Sequence, residues 1–172
     1  MRKKVLWIED GAFVEVANFA GPVLTNLKYD LQVALDVSDA LKKIMEIENN
    51  GFDAVIVDSR IPPGMDPEWE DIYDKSGYNK IGARLGIQLL FSLLKPEKAA
   101  VKLKKIPPWI SPEKFGVFTV ESEGEVKNEL TELGIINCFQ QKKIKLSNKA
   151  LLELIEKVID NSEKSSSREV AI

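Results

Sequence analysis

The sequence has no histidine among its 172 residues and a single cysteine, Cys138. The lack of histidine excludes Ser-His-Asp and Cys-His catalytic groups, histidine-based zinc sites and any phosphohistidine carrier. A single cysteine excludes an internal disulfide and a cysteine metal cluster. Any chemistry that this chain performs must therefore use carboxylates, hydroxyls and lysines.

The sequence also lacks a long hydrophobic run and a strong excess of either charge. No apolar stretch approaches the roughly 20 residues that cross a bilayer, and no basic-then-apolar leader opens the chain. A net charge of −3 gives no field that would attract nucleic acid. We therefore expect a cytoplasmic protein with neither a membrane nor a nucleic-acid partner.

Five short apolar segments alternate with helical patterns along the chain. Lys4 to Ile8 is followed directly by Glu9 and Asp10, and Ala54 to Val57 by Asp58. The other strands are expected at 31–35, 116–120 and 135–139. Strands that alternate with helices predict an α/β fold with a doubly wound, five-stranded parallel sheet.

The helical patterns place two serines at helix starts and leave two long connections. Ser38 and Ser147 are expected to cap the second and the last helix. An insert of about 64–84 lacks clear periodicity, and an extended connection covers about 96–114; loops of this length are usually functional or disordered. We expect one domain over 1–161 and a frayed polar tail over 162–172.

Acidic and hydroxyl side chains gather at one edge of the predicted sheet. Glu9, Asp10 and Asp58 end two strands, and Thr119 lies near the end of a third. Ligands of such sheets bind at the carboxyl ends of the strands. Clustered carboxylates repel one another unless a hard cation binds them, and Mg²⁺ suits such a site. With no GxxxxGK[ST] motif, a phosphate placed on a carboxylate is favoured over a cradled nucleotide.

Three segments resemble the response-regulator receiver domain of two-component signalling: Val5 to Asp10, Asp53 to Pro62 and Val117 to Val120. The resemblance covers about residues 3–160 and the order of all elements. It implies a flavodoxin-like (receiver) fold and a stand-alone signalling switch that acts through contacts with an unknown downstream protein. Such a protein is not an enzyme beyond slow autophosphorylation and self-dephosphorylation.

The resemblance also implies a role for each residue of the acidic edge. Asp58 would accept a phosphoryl group from a histidine kinase or a phosphotransfer protein. Mg²⁺ would be held by Asp58 itself, by Asp10 directly, by Glu9 through water and by the backbone carbonyl of Arg60. Thr119 would be the switch hydroxyl that turns towards the new phosphate.

One further position of the family pattern falls on either of two neighbouring residues. Receivers carry Lys-Pro after the last strand, and the lysine lies seven residues beyond a glycine that ends the preceding helix. The same count from Gly134 reaches Gln141, one residue before Lys142. Receivers also carry an aromatic switch residue three before that lysine, and Phe139 is three before Lys142. The aromatic spacing favours Lys142, although the proline that normally follows the lysine is missing.

Two other functions are compatible with the sequence. The missing proline and the bulky Val120 beside Thr119 fit a receiver-like interaction module that takes no phosphate. A Mg²⁺-dependent phosphotransferase or phosphatase normally has an Asp-x-Asp pair at a strand end, and Asp58-Ser59-Arg60 lacks the second acid.

The acids of the insert would lie beside the acidic edge as a lid, a partner site or a repulsive gate.

Overall fold

The strands of the computed structural model, which describes residues 1–48, 50–75 and 80–169, form one parallel sheet. Within these residues the sheet has five strands in the order β2-β1-β3-β4-β5. The strands are β1 (Lys3–Ile8), β2 (Tyr29–Ala34), β3 (Ala54–Val57), β4 (Phe115–Thr119) and β5 (Phe139–Gln141).

Five of the six α-helices in the described residues fall into two packed groups. They are α1 (Ala17–Leu24), α2 (Val37–Glu46), α3 (Pro67–Lys75), α4 (Leu85–Leu94), α5 (Glu123–Leu133) and α6 (Ala150–Glu169). α1 packs against α6, whereas α4 packs against α2 and α5. The expected doubly wound, five-stranded α/β fold is confirmed. In the described part of the chain, no helix is both long and apolar enough to span a membrane.

The central strands β1 and β3 are apolar on both faces, which is why they lie in the middle of the sheet. Val5 to Ile8 and all of β3 are buried. Strands of this kind need helices on both sides to cover them. An acid directly follows both β1 and β3, so the apolar core ends there and the acidic edge begins.

The last strand begins later than the sequence pattern predicted. The expected strand 135–139 is replaced by β5, which starts only at Phe139. Asn137 has a φ of 58°, in the left-handed region, and this turn separates the buried Ile135 from the strand. The shift matters for the site, because it moves the end of the strand to Gln141, directly before Lys142.

The sequence predicted that Ser38 caps the second helix, and this prediction is wrong. Asp36 is the N-cap, and its carboxylate accepts the backbone N–H of Asp39 at 2.8 Å. The Ser38 hydroxyl instead donates to the carbonyl of Pro63 at 3.0 Å and accepts the N–H groups of Met65 and Asp66. One hydroxyl thus uses its donor and both acceptor positions to fix the entrance to the insert.

The insert contains a helix that the sequence pattern missed. α3 (Pro67–Lys75) buries Trp69 completely. Trp69 lines a groove of about 600 Å³ together with Leu41 of α2 and with Val101 and Leu103 of the second long connection. The end of the insert between 76 and 79 lies outside the described residues. The entrance of the insert is therefore bonded to α2 through Ser38, and Trp69 joins the common core.

Most of the expected polar tail is helical. α6 continues to Glu169, and Lys3 forms an ion pair with Glu163 at 2.9 Å. Ser166 and Ser167 donate their hydroxyls to carbonyls one turn earlier in the helix. These bonds satisfy the hydroxyls within the helix itself.

Candidate functional site

Three carboxylates lie together at the carboxyl ends of β1 and β3. Ile8 pairs with Val57, so Glu9 and Asp58 follow paired residues of neighbouring strands. One ligand oxygen from each of Glu9, Asp10 and Asp58 lies within 4.8 Å of the other two. Glu9 and Asp58 are buried, and Asp10 is exposed. The cluster expected from the sequence is thus present, and it opens to solvent on the Asp10 side.

Lys142 reaches this cluster from the end of β5. Its Nζ lies 2.8 Å from Oδ2 of Asp58 and also contacts Oε2 of Glu9. The Lys142 side chain is 9% exposed. Gln141 points elsewhere, because its amide donates to the carbonyl of Val120 at 3.1 Å. Of the two positions left open by the sequence, the structure therefore brings Lys142 to the carboxylates.

Burial dominates the electrostatics of the cluster. It raises the pKa of Glu9 to about 7, with a further increase from Asp58 and an opposing effect from Lys142. Burial also lowers the pKa of Lys142, but Asp58 and Glu9 more than offset it, so the pKa lies above its ordinary value. Among the described residues one ammonium faces three carboxylates, and an additional cation would relieve the remaining repulsion.

Thr119 lies at the end of β4 but does not bond to Asp58. Its hydroxyl is 2.6 Å from the hydroxyl of Ser59, and both side chains are 0% exposed. The Asp58 Oδ1 accepts the backbone N–H of Arg60 at 3.3 Å. Sequence reasoning singled out Thr119 and missed Ser59, because a serine after a strand has no distinguishing signal of its own.

The side chain of Arg60 turns away from the carboxylates. Its Nη2 lies 3.5 Å from Oε1 of Glu121, and the Nε of Arg84 lies 3.0 Å from the same oxygen. Arg84 also pairs with Glu129 of α5. Glu121 is 4% exposed, so this ion pair network is largely shielded from water. Sequence reasoning missed Glu121 and Arg84, since it could not place the exit of the insert beside β4.

Gly86 allows α4 to approach the end of β3. A Cβ at this position would lie 1.8 Å from the carbonyl oxygen of Asp58. The Gly86 N–H donates to the carbonyl of Ser59 at 3.0 Å. A glycine in the first turn of a helix that follows an irregular segment is the signal that could have revealed this close approach.

The aromatic residue expected to take part in switching lies on β5. Phe139 pairs with Val117 of β4 and is half-buried against the core. Phe118, on the same strand as Val117, lies 5.4 Å from the Nζ of Lys142 and packs edge-on against Phe19. Phe139 is thus on the strand that ends just before the lysine, as its spacing in the sequence suggested.

Among the described residues, no acid of the insert belongs to the carboxylate cluster. Asp66 and Glu68 line the groove that also contains Leu41 and Met45 of α2. Among the described residues, the group of acids that could hold a metal ion consists of Glu9, Asp10 and Asp58. Asp66 and Glu68 therefore lie over α2, which does not favour a lid or gate formed by these two side chains.

Comparisons with known proteins give a match to structures but none to sequences. No protein-family model matches the chain, and no curated protein matches it. The Francisella response regulator 1452 receiver domain is similar at a TM-score of 0.59 and 20% identity, covering 95% of this chain and 99% of that chain.

Two further solved structures show the same similarity. A CheY-like response regulator receiver domain protein from Methanospirillum hungatei JF-1 has a TM-score of 0.56 and 18% identity, over 96% of this chain and 99% of its own. A response regulator from Thermotoga maritima has a TM-score of 0.57 and 12% identity, over 93% of this chain and 99% of its own. The chain therefore has the receiver fold over nearly its whole length.

Proposed function

We propose that this chain is a phosphorylation-operated signalling switch, with Asp58 as the residue that accepts the phosphoryl group. The observation that carries the proposal is the contact of the Lys142 ammonium with both Asp58 and Glu9. Such an ammonium can neutralise charge on a transferring phosphoryl group beside the carboxylate that receives it. The receiver fold supports the same function, because its parallel sheet brings these residues to one edge.

The group transfer requires a donor outside this chain, because the sequence contains no histidine. An oxygen of the Asp58 carboxylate forms a bond to phosphorus while the bond from phosphorus to the donor breaks. That bond is P–N in a phosphohistidine and P–O in acetyl phosphate, and the leaving group keeps the electron pair. Attack of water on phosphorus later restores the carboxylate and releases inorganic phosphate.

The residues of the site fit a magnesium ion. Their donors are carboxylate oxygens, which Mg²⁺ prefers, and the exposed Asp10 leaves room for the waters that this ion retains. Asp10 and Asp58 would bind it directly, Glu9 through water, and Arg60 through its backbone carbonyl. When bound, the ion would supply positive charge beside the phosphoryl oxygens.

An exposed apolar surface beside the acidic edge suits a protein donor. Phe13 and Val14 follow β1 by a few residues and are 69% and 80% exposed. Adjacent exposed apolar side chains of this kind are available for contact with another protein. The resemblance to receiver domains leads us to assign the donor to a histidine kinase or phosphotransfer protein, and the output to a downstream protein that recognises the switched state.

A second candidate is a receiver-like interaction module that takes no phosphate. It is favoured by the low exposure of Asp58, at 6%, and by the Thr119 hydroxyl, which already has a partner in Ser59. In that case the edge would serve only to bind Mg²⁺ or to stabilise the fold. The two candidates differ in whether Asp58 becomes covalently modified.

Intact-mass spectrometry after incubation with acetyl phosphate and Mg²⁺ tests the proposal. We expect one added phosphoryl group on the wild-type protein and none on Asp58→Asn. Asp71→Asn, which changes an exposed acid of α3, serves as the matched control and should be labelled like wild type. No adduct on the wild type over hours would favour the interaction module. Rapid multiple-turnover release of phosphate would favour the phosphatase.

A further inference from the structure

Two buried hydroxyl groups bond to each other directly behind the proposed phosphoacceptor. The Oγ of Ser59 and the Oγ1 of Thr119 are 2.6 Å apart, and neither side chain is exposed. Thr119 Oγ1 also accepts the backbone N–H of Glu121 at 3.4 Å. The described bonds to the Asp58 carboxylate come from Lys142 and from the N–H of Arg60.

We infer that Ser59 is a positioning residue that holds the Thr119 hydroxyl away from Asp58 until a phosphoryl group competes for it. This inference rests on the proposed function. It adds that the serine, through the threonine, sets how tightly the site binds a phosphoryl group.

Ser59 is unable to follow Thr119 towards Asp58, because its backbone is fixed. The Ser59 carbonyl accepts the N–H of Gly86 at 3.0 Å. Gly86 in turn lies so close to Asp58 that even a methyl group would not fit between them. If β4 moves Thr119 to a phosphoryl oxygen, the bond between the two hydroxyls must therefore break.

Breaking that bond opposes the switch. Movement of Thr119 to a phosphoryl oxygen takes its hydroxyl out of reach of Ser59, whichever of the two hydroxyls is the donor. After the exchange, the Ser59 hydroxyl stays buried and has lost its partner, which is unfavourable. An alanine at 59 removes this opposition and leaves Thr119 in need of a partner before phosphorylation. We expect the switched state to gain about fivefold in relative population.

Binding of beryllofluoride, a phosphoryl mimic, together with Mg²⁺ tests the inference on the full chain. Ser59→Ala is expected to bind beryllofluoride about fivefold more tightly than wild type and Mg²⁺ alone with unchanged affinity. A serine with a merely structural role would weaken both or change neither. Ser92→Ala is the matched control, because Ser92 is equally buried but bonds to the carbonyl of Val101, in the second long connection.

The double variant tests whether Ser59 affects beryllofluoride binding through Thr119. Thr119→Ala should weaken beryllofluoride binding, and in that background Ser59→Ala should have no further effect. If Ser59→Ala does not fold, Ser59→Cys, whose thiol is a weak hydrogen-bonding group, should shift the affinity in the same direction.

The binding measurements distinguish failure of this inference from failure of the proposed function. Equal beryllofluoride affinities of wild type and Ser59→Ala, or a fivefold gain that persists without the Thr119 hydroxyl, would overturn the role of Ser59 and leave the proposed function intact. A wild-type protein that binds Mg²⁺ but no beryllofluoride would overturn the proposed function, and this inference with it.

Discussion

The backbone carbonyl of Thr119 accepts the N–H of Lys142 at 2.7 Å, so a direct hydrogen bond joins the end of β4 to the lysine of the carboxylate cluster. A movement of the end of β4 would be transmitted to the residue that contacts Asp58 and Glu9. The arrangement makes the proposed switch and the proposed chemistry mechanically dependent on each other.

Mg²⁺ binding should depend on Asp10. Replacing it by Asn removes a charged oxygen from an exposed position, so the fold is expected to be unaffected while Mg²⁺ affinity falls at least about tenfold. Titration followed by tryptophan fluorescence measures this, since Trp7 is buried three residues from Asp10. Asp71→Asn provides a control on the insert helix. Unchanged affinity in Asp10→Asn would mean that the metal binds elsewhere.

Lys142→Met should destabilise the protein in the absence of metal. The change leaves Glu9 and Asp58 buried without their ammonium, and breaking a buried ion pair in this way costs about 3 kcal/mol. Urea unfolding in EDTA measures the loss, and added Mg²⁺ should restore part of it. Lys143→Met, at the exposed neighbouring position, should change stability by less than about 0.5 kcal/mol. Similar losses for both variants would argue against the placement of Lys142.

The sequence predicted the acidic edge because the rule behind it is simple. Parallel strands end at the same edge of a sheet, so acids after two apolar runs must meet there. Lys142 could be preferred over Gln141 because the spacing to Phe139 gave a second constraint. The late start of β5 was not predictable, since it depends on the left-handed turn at Asn137.

Contacts between distant segments were the part that the sequence did not reveal. Strand residues of hydroxyl type are common, so nothing marked the pairing of Ser59 with Thr119. The pairing of Arg84 with Glu121 depends on where the insert returns to the sheet. α3 escaped detection because a short acidic helix with a single buried Trp69 shows little periodicity.

Phosphoryl mimicry should change the protein around the end of β4 and the last strand. If Thr119 moves towards the phosphoryl group, Phe139 can turn into the space that it leaves. Hydrogen exchange with beryllofluoride and Mg²⁺, compared with Mg²⁺ alone, should show altered protection in residues 119–145. Residues 65–75 should keep the same exchange in both samples. Changes confined to that part of the insert would contradict the assignment of Thr119, Phe139 and Lys142.

Trp69 should be the main anchor of the insert. Truncation to alanine removes a fully buried ring and is expected to cost about 3 kcal/mol or more. Chemical unfolding measures this, and Tyr73→Ala, at a half-buried position of the same helix, should cost less. If Trp69→Ala left stability unchanged, the insert would not be held by its tryptophan.

The groove lined by Trp69, Val101 and Leu103 brings the two long connections together. Each connection supplies apolar surface that the other helps to cover, so loss of one alone would leave the other exposed to water. Relatives of this chain should therefore carry both connections or neither. An engineered minimal version would have to delete both together, and a shortened chain that kept only one would be prone to aggregate.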